Sequence, residues 1–317
     1  MALLTYLYLH RVATASYTLG SEMSDSGADN PLAHWPRPLT FVLSGGGSHG
    51  AVQVGMIRAL VEAGLAPDLV VGSSVGALNG ALLAADADSS ADRLMKVWEQ
   101  IDRRTLYGAD SRLRAAWEIA REGLTGQGSA LCSPKPLAGL IESAIEIDRI
   151  EDLTIPLVVV ATDLLVGQPK SLRQGSLSEA LQASCATPGL FPPVQISGVI
   201  HVDGSVSANV PVRQALAAGA RSIVVLDAGP AHMPGFIPRT PWEALQQSSQ
   251  IMLRSQHADA DEDLSNRHPV MRLPRPTPPA LSPFDFGQTG ELIELGFNST
   301  KKFLGDYGEL ADAGRDL

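Results

Sequence analysis

The stretch GSSVG, Gly72 to Gly76, sets Ser74 between two glycines, after an apolar run and before a row of small residues at helical spacing. A serine at a sharp strand-to-helix turn is held in a strained backbone with its hydroxyl projecting, and glycines on either side let strand and helix pack. The chemistry this suits is nucleophilic attack on a carbonyl, with the helix N-terminus favouring developing negative charge. Upstream lies SGGGSHG, Ser44 to Gly50, also between an apolar run and a helical pattern. It has no Gly-Lys-Ser ending, so it is not a P-loop, and its spacing misses the dinucleotide fingerprint unless read loosely. Gly45, Gly46 and Gly47 can instead aim backbone N–H groups at the oxyanion that forms when an ester carbonyl is attacked.

A nucleophilic serine needs a base. The seven histidines are His10, His34, His49, His201, His232, His257 and His268. A triad histidine would come late in the chain, after its acid. His232, His257 and His268 lie in that region, but in loop-like, proline-rich or charged surroundings with no strand and turn to present them. HVDGSVSANVP offers another base: Asp203 closes a strand-like run and Gly204 frees the chain to turn. An aspartate with an ordinary pKa of ~3.9 is ionised at neutral pH and can take the serine proton directly. Taken alone, Asp203-Gly204 reads first as an ordinary turn.

The surrounding pattern supplies a scaffold for these groups. Buried strands are predicted at Leu39 to Leu43, Leu69 to Val71, 156 to 162 and 222 to 227, and a strand entering a loop at GVIHVDG. Helices are predicted after the first two, over 177 to 186, over 242 to 258, and from Thr289 to about Leu304, with 90 to 150 mostly helical. Strand, turn and helix alternate, which implies parallel strands with helices on both faces. Six prolines between Pro269 and Pro283 exclude regular structure there.

Taken together, these blocks resemble the patatin-like phospholipase family. SGGGSHGAVQVGMIRALVEAGLAPDLVVGSSVGALNGA is similar to its oxyanion loop, first helix and serine elbow, VVATDL, ASCATPGLFPPV and HVDGSVSANVPV to its later blocks, and FDFGQTGELIELGF to the C-terminal helix of bacterial members. The resemblance implies a three-layer α/β/α fold with a mostly parallel central sheet, in a catalytic domain over 38 to 306 between a poorly ordered extension (1 to 37) and a tail (307 to 317). It implies hydrolysis of lipid carboxylic esters, with Ser74 as nucleophile, Asp203 as base, Gly45 to Gly47 as oxyanion hole, and Gly50, Gly72, Gly76 and Gly204 as supports. Acyl transfer by the same dyad, or a lipid-binding protein without turnover, are the competing expectations. Family members usually carry arginine or lysine where this chain has His49. Cys185 and Thr187 stand in the ASCATPGLFPPV block, and Cys185 is read as a small buried residue.

Composition narrows the partners. The chain has 317 residues, 44% hydrophobic and 18% charged, with a formal net charge of -10. Such acidity argues against nucleic acid and gives no overall attraction to anionic lipid. Two cysteines, Cys132 and Cys185, form neither a disulfide framework nor a zinc site, and no metal or organic cofactor is implied. A cytoplasmic setting is expected, with peripheral membrane contact. The apolar run from Ala2 to Leu9 is too short to span a bilayer, and its positive charge follows it, which reverses the order in a signal peptide. Synthesis is expected to begin at Met23. The candidate for lipid contact is a cap over 103 to 128, where Arg103, Arg104, Arg112, Arg114 and Arg121 interleave with Leu106, Tyr107, Leu113, Trp117 and Leu124.

Overall fold

The structure, a computed structural model, describes residues 32–86, 90–102, 106, 130, 132–229, 237–239, 244, 247–249, 251–252, 268–276 and 286–313. Apart from Leu106, the proposed cap at 103–128 lies outside the described residues, as do Met23 and most of 242–258.

Alternating apolar runs build one sheet. Its strands are β1 (Leu39–Leu43), β2 (Leu69–Ser73), β3 (Leu157–Asp163), β4 (Gln168–Leu172), β5 (Val194–Ile196), β6 (Val199–Asp203), β7 (Ser222–Leu226) and β8 (Val270–Arg272). The order is β5-β6-β3-β2-β1-β7-β8, with β4 also on β3. The pairings β3-β2, β2-β1, β1-β7 and β7-β8 are parallel, and β4, β5 and β6 join antiparallel. Side chains alternate between faces. Phe41, Val70, Val159 and Val224 enter one core, whereas Val42, Val71, Val158, Val160 and Val225 enter the other. The first core is covered by α1 (Gly50–Glu62), α2 (Val75–Ala85), α3 (Ser90–Gln100), α4 (Lys135–Ala144), α5 (Leu177–Ser184) and α8 (Thr289–Ala313). The second lies under α6 (Ser205–Ala208) and α7 (Val212–Ala217). The expected three layers are therefore present.

Three sequence expectations need correction. β8 forms inside the proline-rich stretch, because three of the four residues between Pro269 and Pro274 suffice for an edge strand, where a missing N–H is tolerated. The last helix continues to Ala313, so 307 to 313 are not a loose tail. Leu32 and Trp35 are buried in the core and Pro36 accepts a hydrogen bond from Ser222 Oγ at 2.6 Å, so the ordered domain begins before residue 38.

The β3 strand brings the site together. A strand has two edges, and β4 covers residues 159–163 of β3 on one. The other edge is shared in succession. Parallel β2 runs up it until Ser73 stands opposite Val160, and antiparallel β6 runs toward it until Asp203 stands opposite Ala161. Two strand ends thus meet head to head at consecutive β3 residues, and the chain leaves them at Ser74 and Gly204.

Candidate active site

Ser74 sits at the junction of β2 and α2 with φ 53° and ψ -128°, a conformation that costs of order 1–3 kcal/mol for a residue with a side chain. The strain persists because the turn is fixed from both sides. Ser74 N–H donates to Ser184 Oγ at 2.8 Å, and Ser184 Oγ–H donates to Val160 O at 2.6 Å. Gly72 and Gly76 face each other across the turn: a Cβ on Gly72 would lie 2.4 Å from Gly76 O, and one on Gly76 would lie 2.4 Å from Leu43 O. No rotamer relieves a clash with backbone, so the elbow requires both glycines. Gly50 is held similarly, since a Cβ there would meet Val75 Cγ2 at 2.5 Å.

Ser74 Oγ–H donates to Asp203 Oδ2 at 2.9 Å. The serine meets a carboxylate, not an imidazole. Thr187 Oγ1–H donates to the same Oδ2 at 2.9 Å, and Ser205 N–H donates to Oδ1 at 2.9 Å. Burial pushes the Asp203 carboxyl above its ordinary range, and the hydrogen bonds from Ser205, Ser74 and Thr187 pull it back. A raised carboxylate is a stronger base than a surface aspartate. Gly204 is fixed by its neighbours, because a Cβ would lie 2.1 Å from Val160 O and 2.6 Å from Ser73 Oγ.

The glycine loop lies against this pair: a Cβ on Gly45 would fall 3.2 Å from Ser74 Cβ and 2.0 Å from Ser205 Oγ. One expectation fails here. The N–H of Gly45 donates to Asn209 O at 3.1 Å, so it is committed to the fold and is not an oxyanion donor. The N–H groups of Gly46 and Gly47 have no acceptor among the described residues. Gly47 has φ +59°, which favours glycine. His49 sets the peptide between them, since Gly46 O accepts from both His49 N–H (3.2 Å) and His49 Nδ1–H (3.1 Å). In a trans peptide the C=O and the following N–H point opposite ways, so the Gly47 N–H faces away from the imidazole. Burial holds the His49 pKa below its usual value, so at neutral pH this position carries no cation.

Several contributors escaped the sequence reading. Gln53 Nε2 donates to Ser44 O (2.8 Å) and Leu226 O (3.0 Å), tying the ends of β1 and β7. Asn79 Nδ2 donates to Gln53 Oε1 and Gly50 O, and Trp98 Nε1–H donates to Asn79 Oδ1. This buried network fixes the start of α1 beneath the loop. Ser44 Oγ–H donates to Asp227 Oδ1 at 3.0 Å and Oγ accepts from Ala228 N–H at 2.8 Å, pinning the loop's first residue. The available signal was an amide alone in an apolar helix, as in AVQVGM and GALNGA. Cys185 is buried, as expected, and its thiol is pushed well up by burial and by the Asp203 charge, so it is not a competing nucleophile.

Among the described residues no cluster of His, Cys, Asp and Glu is arranged to hold a metal ion. Nor is any described helix long and apolar enough to cross a membrane.

A mostly parallel α/β sheet with a serine on a strained turn and a carboxylate at hydrogen-bonding distance defines an α/β protein of the serine-elbow type. The patatin-like phospholipase model matches residues 41–216, more than half of the chain, and the chain belongs to that family. It is 30% identical over 194 residues to patatin-like phospholipase domain-containing protein 7 of Mus musculus, covering 60% of this chain and 14% of that protein. It is 28% identical over 287 residues to lysophospholipase nte1 of Aspergillus terreus, covering 84% of this chain and 18% of that protein. The chain therefore spans less than a fifth of these relatives. Among solved structures, VipD from Legionella pneumophila aligns with a TM-score of 0.45 and 19% identity, over 95% of this chain and 73% of that one.

Proposed function

We propose that this chain hydrolyses carboxylic esters of lipids through a serine–aspartate dyad. The observation that carries the proposal is the 2.9 Å hydrogen bond from Ser74 Oγ to Asp203 Oδ2 at a strained strand-to-helix turn. Ser74 Oγ attacks the acyl carbon as its proton passes to Asp203. The carbonyl electron pair moves to oxygen, where the N–H groups of Gly46 and Gly47 receive it. Collapse breaks the ester bond, the leaving alkoxide takes the proton from Asp203, and the acyl group remains on Ser74. Water then attacks that ester, giving its proton to Asp203. The acid leaves and the proton returns to Ser74 Oγ. No step requires a metal or organic cofactor.

The family and a relative named as a lysophospholipase support a lysophospholipid as the first substrate to test. The expected result is release of free fatty acid together with stoichiometric labelling of Ser74 by a fluorophosphonate, both lost in Ser74→Ala. Labelling at another residue, or activity surviving in Ser74→Ala, would overturn the proposal. Product esters formed when an added alcohol competes with water would assign acyl transfer instead.

A further inference from the structure

The turn from β3 into β4 exposes an unusual surface. Leu165 is 79% exposed, Val166 65% and Leu164 47%, and Val206, three residues after Asp203, is 45% exposed. Hairpin tips are ordinarily polar, and three consecutive apolar residues in water invite an explanation. This tip is not a loose excursion. Asp163 Oδ1 accepts from Leu165 N–H (3.1 Å) and Val166 N–H (3.2 Å), Asp163 O accepts from Gly167 N–H (2.8 Å), and Leu164 N–H donates to Ile200 O (2.9 Å). The side chains are thus presented by a fixed backbone, and little ordering entropy opposes their burial in a partner.

The tip projects from the end of the sheet that carries the candidate site. Ala161 stands opposite Asp203, and the tip begins three residues further on, so at about 3.3 Å per residue it reaches roughly 10–15 Å past Asp203. Thr162 Oγ1 and Ser207 Oγ lie 2.8 Å apart, fastening α6, and with it Val206, beside the same strand end.

Charge points to the partner. The chain has 34 acidic residues, yet from Leu164 to Leu226 the only ones are Glu179 on α5 and Asp203, which is buried. On the hairpin itself, Lys170 Nζ lies 3.6 Å from the buried carboxylate of Asp163 at the base of the tip. An apolar tip whose own hairpin carries Lys170 at its base and no exposed carboxylate complements a lipid surface, with hydrocarbon below and phosphate head groups at the rim. A second copy of this chain fits less well. Among the described residues β4 is joined to the sheet only through β3, and its other edge carries Pro169 and Lys170, two residues that discourage strand addition.

We propose that Leu164, Leu165 and Val166, with Val206, form the surface by which this chain docks on a lipid bilayer, landing with the strand end that carries Ser74 toward the lipid. The proposal rests on the reading of the substrate as a lipid ester. The test uses vesicles of equimolar phosphatidylcholine and phosphatidylserine, and reads binding by co-flotation in the Ser74→Ala background, so that turnover plays no part. Leu165→Asp with Val166→Asp, both at exposed positions, should lower vesicle partitioning by about tenfold or more and leave hydrolysis of a short soluble ester within about twofold. Leu165→Trp should show a blue-shifted emission on vesicles, quenched by brominated acyl chains. Unchanged partitioning of the double variant, or no blue shift, would overturn the proposal. So would a wild-type dimer that the double variant dissolves while vesicle binding is kept. If the wild type binds vesicles through the tip but hydrolyses no ester, docking stands and the catalytic reading falls.

Discussion

The two halves of the sheet build the site by different means. The parallel half, β1-α1-β2-α2, holds the glycine loop and the serine at two successive strand-to-helix turns, whose glycines are local to each turn although Ser184 and Asn209 also hold them from a distance. In the antiparallel half, β6 approaches β3 from the opposite direction and stops where β2 ends, so Asp203 owes its position to strand register. Glycine-rich turns therefore place the donor loop and Ser74, and strand register places Asp203. If that division is correct, damage to either half should abolish turnover, but stability should respond differently.

The largest effects come from the dyad. Ser74→Ala and Asp203→Asn should each lower kcat for ester hydrolysis on the order of 10⁴-fold or more, measured with a soluble chromogenic ester. The two should diverge in melting temperature. Asp203 has its pKa raised by burial, so its ionised form is a cost to the folded state. The associated stability is fully present below the ordinary carboxylate pKa and lost as pH rises through the raised value. Asp203→Asn removes that penalty and should raise Tm by a few degrees at neutral pH, with the gain shrinking toward pH ~4. A Tm equal to wild type at all pH values would show that the carboxylate is not held under strain.

Next come the close approaches. Gly72→Ala and Gly204→Ala would each drive a methyl into backbone, at 2.4 Å from Gly76 O and 2.1 Å from Val160 O respectively. Both should cost about 3 kcal/mol in urea unfolding, at the upper end of ordinary overpacking. Tolerance at Gly204 with collapse at Gly72 would sharpen the comparison. It would mean that the antiparallel ribbon shifts along β3 to accommodate a methyl, whereas the elbow cannot.

What could be read from the sequence follows the same division. The strands β1, β2, β3 and β7 are apolar runs that announce themselves, and the glycines of the elbow and the loop are visible as punctuation. Asp203 was legible because a strand-like run ends on Asp-Gly. Register was not legible, and with it went Ser184 and the pairing of Thr187 with the carboxylate, although Thr187 stood in a block already singled out. The strand β4 was missed because QPKSL alternates weakly and faces water on an open edge, and β8 because proline signals outweighed a three-residue edge strand. Gly45 was misassigned as a donor because nothing local foretells that the Asn209 carbonyl comes back to meet it. Arginine density marks 103–128 in the sequence, whereas the exposed LLV tip is apolar and looks in sequence like the continuation of a buried strand.

Thr187→Val tests the base at finer grain. The threonine hydroxyl donates to Asp203 Oδ2 and favours its ionised form, so its loss should push the carboxyl further up. The acid limb of the kcat/KM profile should move toward neutral pH, with activity at pH 7 reduced by roughly tenfold. Thr187→Ser, which keeps the hydroxyl, should restore both. A rate loss with an unmoved limb would make Thr187 a packing residue.

The smallest expected effect lies in the parallel half, at His49. Its Nδ1–H and N–H both hold Gly46 O, and its buried ring is kept neutral by a depressed pKa. The unfolded chain takes up a proton near pH ~6.5, before the folded one does. Stability linked to His49 is therefore complete above that pH and declines below it, with a slope of at most about 1.4 kcal/mol per pH unit. His49→Gln replaces the ring by an uncharged amide that can still donate to Gly46 O. It should match the wild type within about 1 kcal/mol at pH 8 and fall off less steeply on acidification, as read by urea unfolding across the pH range. Turnover at pH 8 should change by no more than a few fold, because the amide keeps the Gly46–Gly47 peptide turned. His49→Ala, which removes the donor, should lower kcat more than it raises KM, since the role proposed for the Gly47 N–H is on the oxyanion and not on the ground-state ester. Parallel acid slopes for wild type and His49→Gln would show that His49 is not the group being titrated. An unchanged kcat in His49→Ala would show that the glycine loop keeps its geometry without the imidazole.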